Sequence, residues 1–110
     1  MTLDDLIAYG ANVEEGMSRC MNNEGFYLRL VNTLKDEKGF DALKAALDAN
    51  DLKAAFEAAH ALKGVLGNLS ITPLYDPISE ITEYLRAETA MDYAPLIEHI
   101  MEQRDKFRAL

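Results

Sequence analysis

The sequence contains a single cysteine, Cys20, and no long apolar segment among its 110 residues. One thiol cannot form a disulfide within the chain, which is typical of proteins from a reducing compartment. No apolar run approaches the about 20 residues that a membrane-spanning helix needs, and the acidic start Met1–Asp5 is unlike a signal peptide. We therefore expect a cytoplasmic protein with no membrane partner, in which Cys20 packs as a small buried hydrophobe.

Positive charge is also scarce. Eleven lysines and arginines stand against 19 acidic residues, which gives a net charge of −8 at pH 7. Most of the surface would repel a phosphate backbone, so we expect no nucleic-acid partner. The acidity does not by itself select another partner, because many proteins are acidic for solubility.

Strand patterns are missing as well, since runs of β-branched residues are absent and apolar residues recur every three or four positions. This periodicity predicts an all-α fold. The short connections favour antiparallel neighbours, so we expect an antiparallel four-helix bundle over about residues 37–108. Residues 1–36 are predicted to form an additional short N-terminal helical segment packed on one end, within one domain spanning residues 1–110. We expect this domain to be a monomer.

Capping residues locate the starts of the later helices. Asp51 is the predicted N-cap of the longest helix, and Asp92 that of the last. Thr72 is the predicted N-cap of the helix between them, with Pro73 at its first position. Pro77 follows one turn later, which predicts an irregular or delayed start of that helix. The core-facing residues predicted for the longest helix are Leu52, Ala55, Ala59, Leu62, Leu66 and Leu69.

The longest helix also contains the most reactive combination of residues. His60 lies in its middle, Lys63 follows one turn later, and Gly64 and Gly67 lie beside them. Glycine within a helix costs roughly 0.5–1 kcal/mol relative to alanine. Since the segment is otherwise rich in alanine, we interpret both glycines as space for another surface to approach the helix.

A helical wheel at about 100° per residue places His60 opposite the predicted core residues, so its imidazole should be exposed. The neutral form of an imidazole is a nucleophile. Phe56 would supply an apolar anchor on the same face, and Lys53 and Glu57 lie there too. Lys63 would place a cation beside a group bound to the imidazole. This face is therefore suited to docking a protein that carries a phosphoryl group.

The segment Ala59–Gly64 resembles the central motif of histidine-containing phosphotransfer (HPt) domains, His-x-Leu-Lys-Gly on an exposed helix of a bundle. Similarity continues at Asn68–Leu69, at Asn50–Leu52 and at Asn23–Leu28. The sequence departs from the family at Ser70, where many members have glycine.

The resemblance implies a phosphorelay intermediate. His60 would accept a phosphoryl group from an aspartate of a response-regulator receiver domain and pass it to another receiver. Lys63 would stabilise the phosphohistidine, and Gly64 would permit the approach. A hybrid histidine kinase is a candidate further partner. The sequence has no glycine-rich phosphate loop. We therefore expect a carrier protein with no nucleotide site, no cofactor and no bound metal, with Mg²⁺ supplied by the receiver.

Two alternatives stay open at this point. The chain could be a non-phosphorylated helical-bundle module that docks signalling partners, although the presence of both His60 and Lys63 disfavours it. It could instead be a metal- or cofactor-binding enzyme built on a helical bundle. Such a site usually has paired Glu-x-x-His motifs, and Glu57 with His60 forms only one. His99 has no following Lys-Gly and is interpreted as a boundary or solvated residue.

Overall fold

The computed structural model describes all 110 residues, and every regular element in it is helical. The seven α-helices in chain order are α1 Leu3–Tyr9, α2 Val13–Arg19, α3 Glu24–Thr33, α4 Gly39–Asp48, α5 Leu52–Leu69, α6 Thr72–Arg86 and α7 Ala94–Arg108. A short 3-10 turn, Leu34–Asp36, follows α3. The predicted all-α fold class is confirmed. None of the helices combines the length and apolarity needed to cross a membrane.

Helices α4 to α7 form the bundle, with α5 packed between α4 and α6. The three N-terminal helices pack where α5 ends and α6 begins. The backbone N–H of Asn12 donates to the Ser70 carbonyl at 2.9 Å. The Tyr27 hydroxyl donates to the Leu69 carbonyl, also at 2.9 Å. Burial raises the pKa of Tyr27, with a smaller contribution from Cys20, so this hydroxyl remains a donor.

The core joins both parts of the chain into one cluster of buried residues. Leu6, Tyr27 and Val31 of the N-terminal helices are fully buried in it, and Cys20 is buried as expected. On α5 the predicted core face is also seen: Leu52 is half-buried, and the fully or almost fully buried residues are Ala55, Ala59, Leu62, Leu66 and Leu69. Burial of this face fixes the rotation of α5 and thereby decides which of its side chains meet solvent.

The N-cap predicted for α5 is confirmed, because the Asp51 carboxylate accepts from the Ala54 N–H at 3.1 Å. The N-cap predicted for α7 is one residue early. Tyr93 is the N-cap by backbone geometry, while the Asp92 carboxylate accepts from the Ala94 N–H at 3.0 Å. Asp92 thus still satisfies a free N–H at the start of α7.

The predicted start of α6 is wrong by one residue. Ile71 is the N-cap, Thr72 is the first helical residue, and Pro73 follows it. Ile71 is fully buried, and its carbonyl accepts from the Tyr75 N–H at 2.8 Å. Pro77 does not delay or interrupt the helix. Proline has no N–H to donate to the carbonyl four residues earlier, which here is that of Pro73. The lost hydrogen bond is therefore confined to the first turn of the helix.

Candidate functional site

The structure places His60 on the exposed face of α5, midway along an 18-residue helix. Ala59 immediately before it is fully buried, and Leu62 two residues later is almost so. The helix therefore turns the imidazole away from the core. The ring lies against Phe56, one turn earlier, with 5.5 Å between ring centroids and 36° between ring planes. Phe56 is half-buried, so it supports the imidazole without covering it.

Lys63 is only partly exposed. The solvent-exposed fraction of its side chain is 29%, and its Nζ lies 3.8 Å from Oε1 of Glu83 on α6. Oε2 of the same carboxylate lies 3.4 Å from Nε of Arg86. The Arg86 guanidinium in turn lies 5.0 Å from the centroid of the Phe56 ring. Two cations, joined by one carboxylate, thus flank the α6 side of the site.

Sequence reasoning missed Glu83 and Arg86. Their spacing of three residues marks an ordinary surface pair on a helix. Only the packing of α6 against α5 brings that pair close to Lys63 and Phe56. The sequence pattern does not predict how the two helices are aligned.

The two glycines beside His60 differ in their surroundings. A Cβ built on Gly64 would meet nothing within 4 Å, so this part of α5 is open. A Cβ on Gly67 would lie 3.0 Å from Cε2 of Tyr75. The expectation that both glycines leave room for a partner is therefore corrected for Gly67, because Tyr75 of α6 occupies that space.

An open recess of about 670 Å³ lies beside the imidazole, between α2, α5 and α6. It contains the predicted residues His60, Lys63, Gly64 and Gly67. Phe56, Lys53 and Glu57 do not line it; Lys53 and Glu57 are exposed on the N-terminal half of the same helix. The lining residues that sequence reasoning did not assign to the site are Asn12, Glu15, Arg19, Asn68, Ser70, Thr72, Tyr75 and Asp76.

Arg19 fastens α2 to the end of α5 at this recess. Its Nη1 donates to the Gly67 carbonyl at 2.6 Å and to Oγ of Ser70 at 2.7 Å, and its Nη2 pairs with Glu15. The Gly67 carbonyl, in the last turn of the helix, also accepts from the Ser70 N–H at 3.2 Å, so the guanidinium is its second and closer hydrogen-bond donor. One wall of the recess is thereby held in place by α2.

Ser70 ends α5 in the left-handed conformation, with φ 56° and ψ 43°. Glycine adopts this conformation without steric strain, whereas other residues seldom do. This explains why a glycine suits this position in a similar sequence. Here the serine hydroxyl accepts from Arg19, so the departure changes the helix end and one wall of the recess.

No group of three or more histidine, cysteine or acidic side chains is placed to hold a metal ion. Glu57 has no ion-pair partner, and His99 is exposed on α7. This face of α5 therefore presents an exposed imidazole, with Lys63 one helical turn away and open backbone at Gly64.

The sequence model of the Hpt domain matches residues 30–110. The chain belongs to the Hpt domain family. Hpt domains act in histidine phosphotransfer within phosphorelays and interact with the receiver domains and kinases of two-component systems. Searches of curated proteins and of solved structures give no match. The region matched to the Hpt domain begins within α3, so α2 contributes its wall of the recess from outside that region.

Proposed function

We propose that His60 is the phosphoacceptor of this Hpt domain. It would take a phosphoryl group from an aspartate of one response-regulator receiver and return it to another, in the cytoplasm. The observation that supports this most is the exposed imidazole resting on Phe56, with the open backbone of Gly64 one turn further along α5. In-line attack by a ring nitrogen needs an unobstructed approach of this kind.

The chemistry needs little from this chain. An aspartyl phosphate is a mixed anhydride, and the lone pair of a neutral ring nitrogen attacks its phosphorus. The N–P bond forms as the P–O bond to the carboxyl group breaks, and the bonding pair leaves with the carboxylate. The ring carries the positive charge until its other nitrogen releases a proton. Positioning and charge stabilisation account for most of such a transfer.

Lys63 would stabilise the phosphoryl group on His60, since it lies one helical turn away and lines the same recess. The partner would contact Gly64 and Phe56 directly, with Lys53 and Glu57 at the edge of the contact. Gly67 would contribute to the site indirectly, by leaving room for the Tyr75 ring to pack against α5. Mg²⁺ would reside on the receiver, and this chain would act as a monomeric carrier with no cofactor of its own. A hybrid histidine kinase carrying such a receiver would be the upstream partner.

The test is transfer of radioactive phosphate from a phosphorylated receiver domain, in the presence of Mg²⁺. We expect the chain to acquire acid-labile, alkali-stable label, and we expect His60→Gln to abolish it. His99→Gln is the matched control, because His99 is also exposed but lies on α7 outside the site. Label that survives in His60→Gln would contradict the proposal. Binding of receivers without any label would instead support the non-phosphorylated docking module.

A further inference from the structure

Glu83 is an acidic residue placed among the cations of the site. Its two carboxylate oxygens lie 3.8 Å from Nζ of Lys63 and 3.4 Å from Nε of Arg86. The solvent-exposed fraction of the Glu83 side chain is 57%, so packing does not force the carboxylate into its position between the two cations.

Two routes lead from this carboxylate to the surroundings of the imidazole. One runs through Lys63, which lies one turn beyond His60 on α5 and lines the same recess. The other runs through Arg86, whose guanidinium lies over the Phe56 ring that supports the imidazole. A change in the charge of Glu83 therefore alters the pairing of two cations, one that lines the recess with His60 and one that lies over the Phe56 ring.

We propose that Glu83 is a positioning residue that sets how tightly the site holds a phosphoryl group. This inference rests on the function proposed above. In the unphosphorylated protein the carboxylate pairs with Lys63 and with Arg86. A phosphoryl group on His60 then competes with that carboxylate for Lys63, and the two anions repel each other. The phosphoryl group is held less tightly than the two cations alone would hold it, which favours its transfer to the next receiver.

The expected size of the effect is modest because Glu83 is exposed. Interactions between exposed charges amount to about 1 kcal/mol or less, and salt screens them. We expect Glu83→Gln to lengthen the lifetime of the phosphohistidine about threefold to fivefold at low ionic strength.

The measurement does not require the partner to be known. Wild type and variants are phosphorylated with phosphoramidate, a small phosphoryl donor, and loss of phosphohistidine is followed by ³¹P NMR. His60→Gln identifies the signal that belongs to His60. Glu80→Gln is the matched control, because Glu80 is exposed on the same helix, three residues earlier, and takes part in no ion pair. It removes the same charge, and we expect it to change the lifetime far less.

Two further readouts separate positioning from a general structural role. In a Lys63→Ala background, Glu83→Gln should have little effect on the phosphohistidine lifetime, because the cation for which the two anions compete is absent. The difference between Glu83→Gln and wild type should also decrease as NaCl increases. Equal lifetimes in Glu83→Gln and wild type, or an unchanged effect without Lys63, would overturn the role of Glu83. That result would leave the proposed function intact if a receiver still labels His60, whereas failure of receiver labelling would overturn the function itself.

Discussion

At the scale of single residues, identical amino acids on one helix have different surroundings. Gly64 and Gly67 lie three positions apart on α5, yet only Gly64 faces open space. The sequence gives both the same helix penalty and the same apparent purpose. Their difference arises from Tyr75, which belongs to the next helix and packs on Gly67.

Gly64→Ala is expected to raise the free energy of unfolding by roughly 0.5–1 kcal/mol, because a methyl group there meets nothing and favours the helix. Gly67→Ala should gain less, since its methyl group must displace the Tyr75 ring, and Gly67→Leu should destabilise the fold. Urea denaturation followed by circular dichroism measures all three. An equal gain from both alanine variants would show that Tyr75 does not restrict Gly67.

Lys63→Ala should shorten the phosphohistidine lifetime about fivefold, the factor that corresponds to about 1 kcal/mol of lost charge stabilisation. The fold should be retained, because a partly exposed ion pair such as that with Glu83 contributes no more than about 1 kcal/mol. The matched control is Lys44→Ala, which removes a lysine that is ion-paired with Asp48 on α4. If both variants keep the wild-type lifetime, Lys63 does not stabilise the phosphoryl group.

At the scale of the helices, the end of α5 combines an unfavourable backbone conformation with a useful side chain. Ser70 has a positive φ, which glycine tolerates better than serine, while its hydroxyl accepts from Arg19 at 2.7 Å. Arg19 keeps a second acceptor at the Gly67 carbonyl. The helix end therefore depends on two opposing contributions, the strain of the backbone and the hydrogen bond of the side chain.

Two substitutions at Ser70 separate these contributions. Ser70→Ala keeps the strained backbone and loses the hydrogen bond, so it should destabilise the fold. Ser70→Gly loses the same bond and relieves the strain, so it should be more stable than Ser70→Ala by about 1 kcal/mol. Chemical denaturation of both variants gives the difference. Equal stability of the two would mean that the left-handed conformation carries no strain at this position.

The sequence was sufficient for the helices and for the rotation of α5, because both follow from apolar spacing within one segment. Asp51 as the cap of α5 and the outward direction of His60 are of this kind. It was insufficient wherever two helices meet. The pairing of Lys63 with Glu83 and the position of Arg19 in one wall of the recess depend on how neighbouring helices are aligned, which no local sequence pattern contains.

At the scale of the whole molecule, the N-terminal helices are part of the same core as the bundle, although the Hpt match begins only at residue 30. Leu6 of α1 is fully buried in that core. The Tyr9 hydroxyl, at the end of α1, donates to the Gln103 carbonyl of α7 at 2.9 Å. Since one continuous core connects the two parts, we expect them to unfold in a single cooperative transition.

Leu6→Ala tests this coupling with a residue outside the matched region. Truncating a fully buried leucine leaves a cavity, and we expect a loss of about 2–4 kcal/mol in the free energy of unfolding. Ile7→Ala is the matched control on the same helix, because Ile7 is 57% exposed and its truncation should change stability by less than about 1 kcal/mol. Urea denaturation should show one transition for each variant, shifted to lower urea only for Leu6→Ala. A separate transition at low urea that leaves the bundle helices folded would mean instead that α1 unfolds independently. The bundle from α4 to α7 would then hold His60 in place without α1.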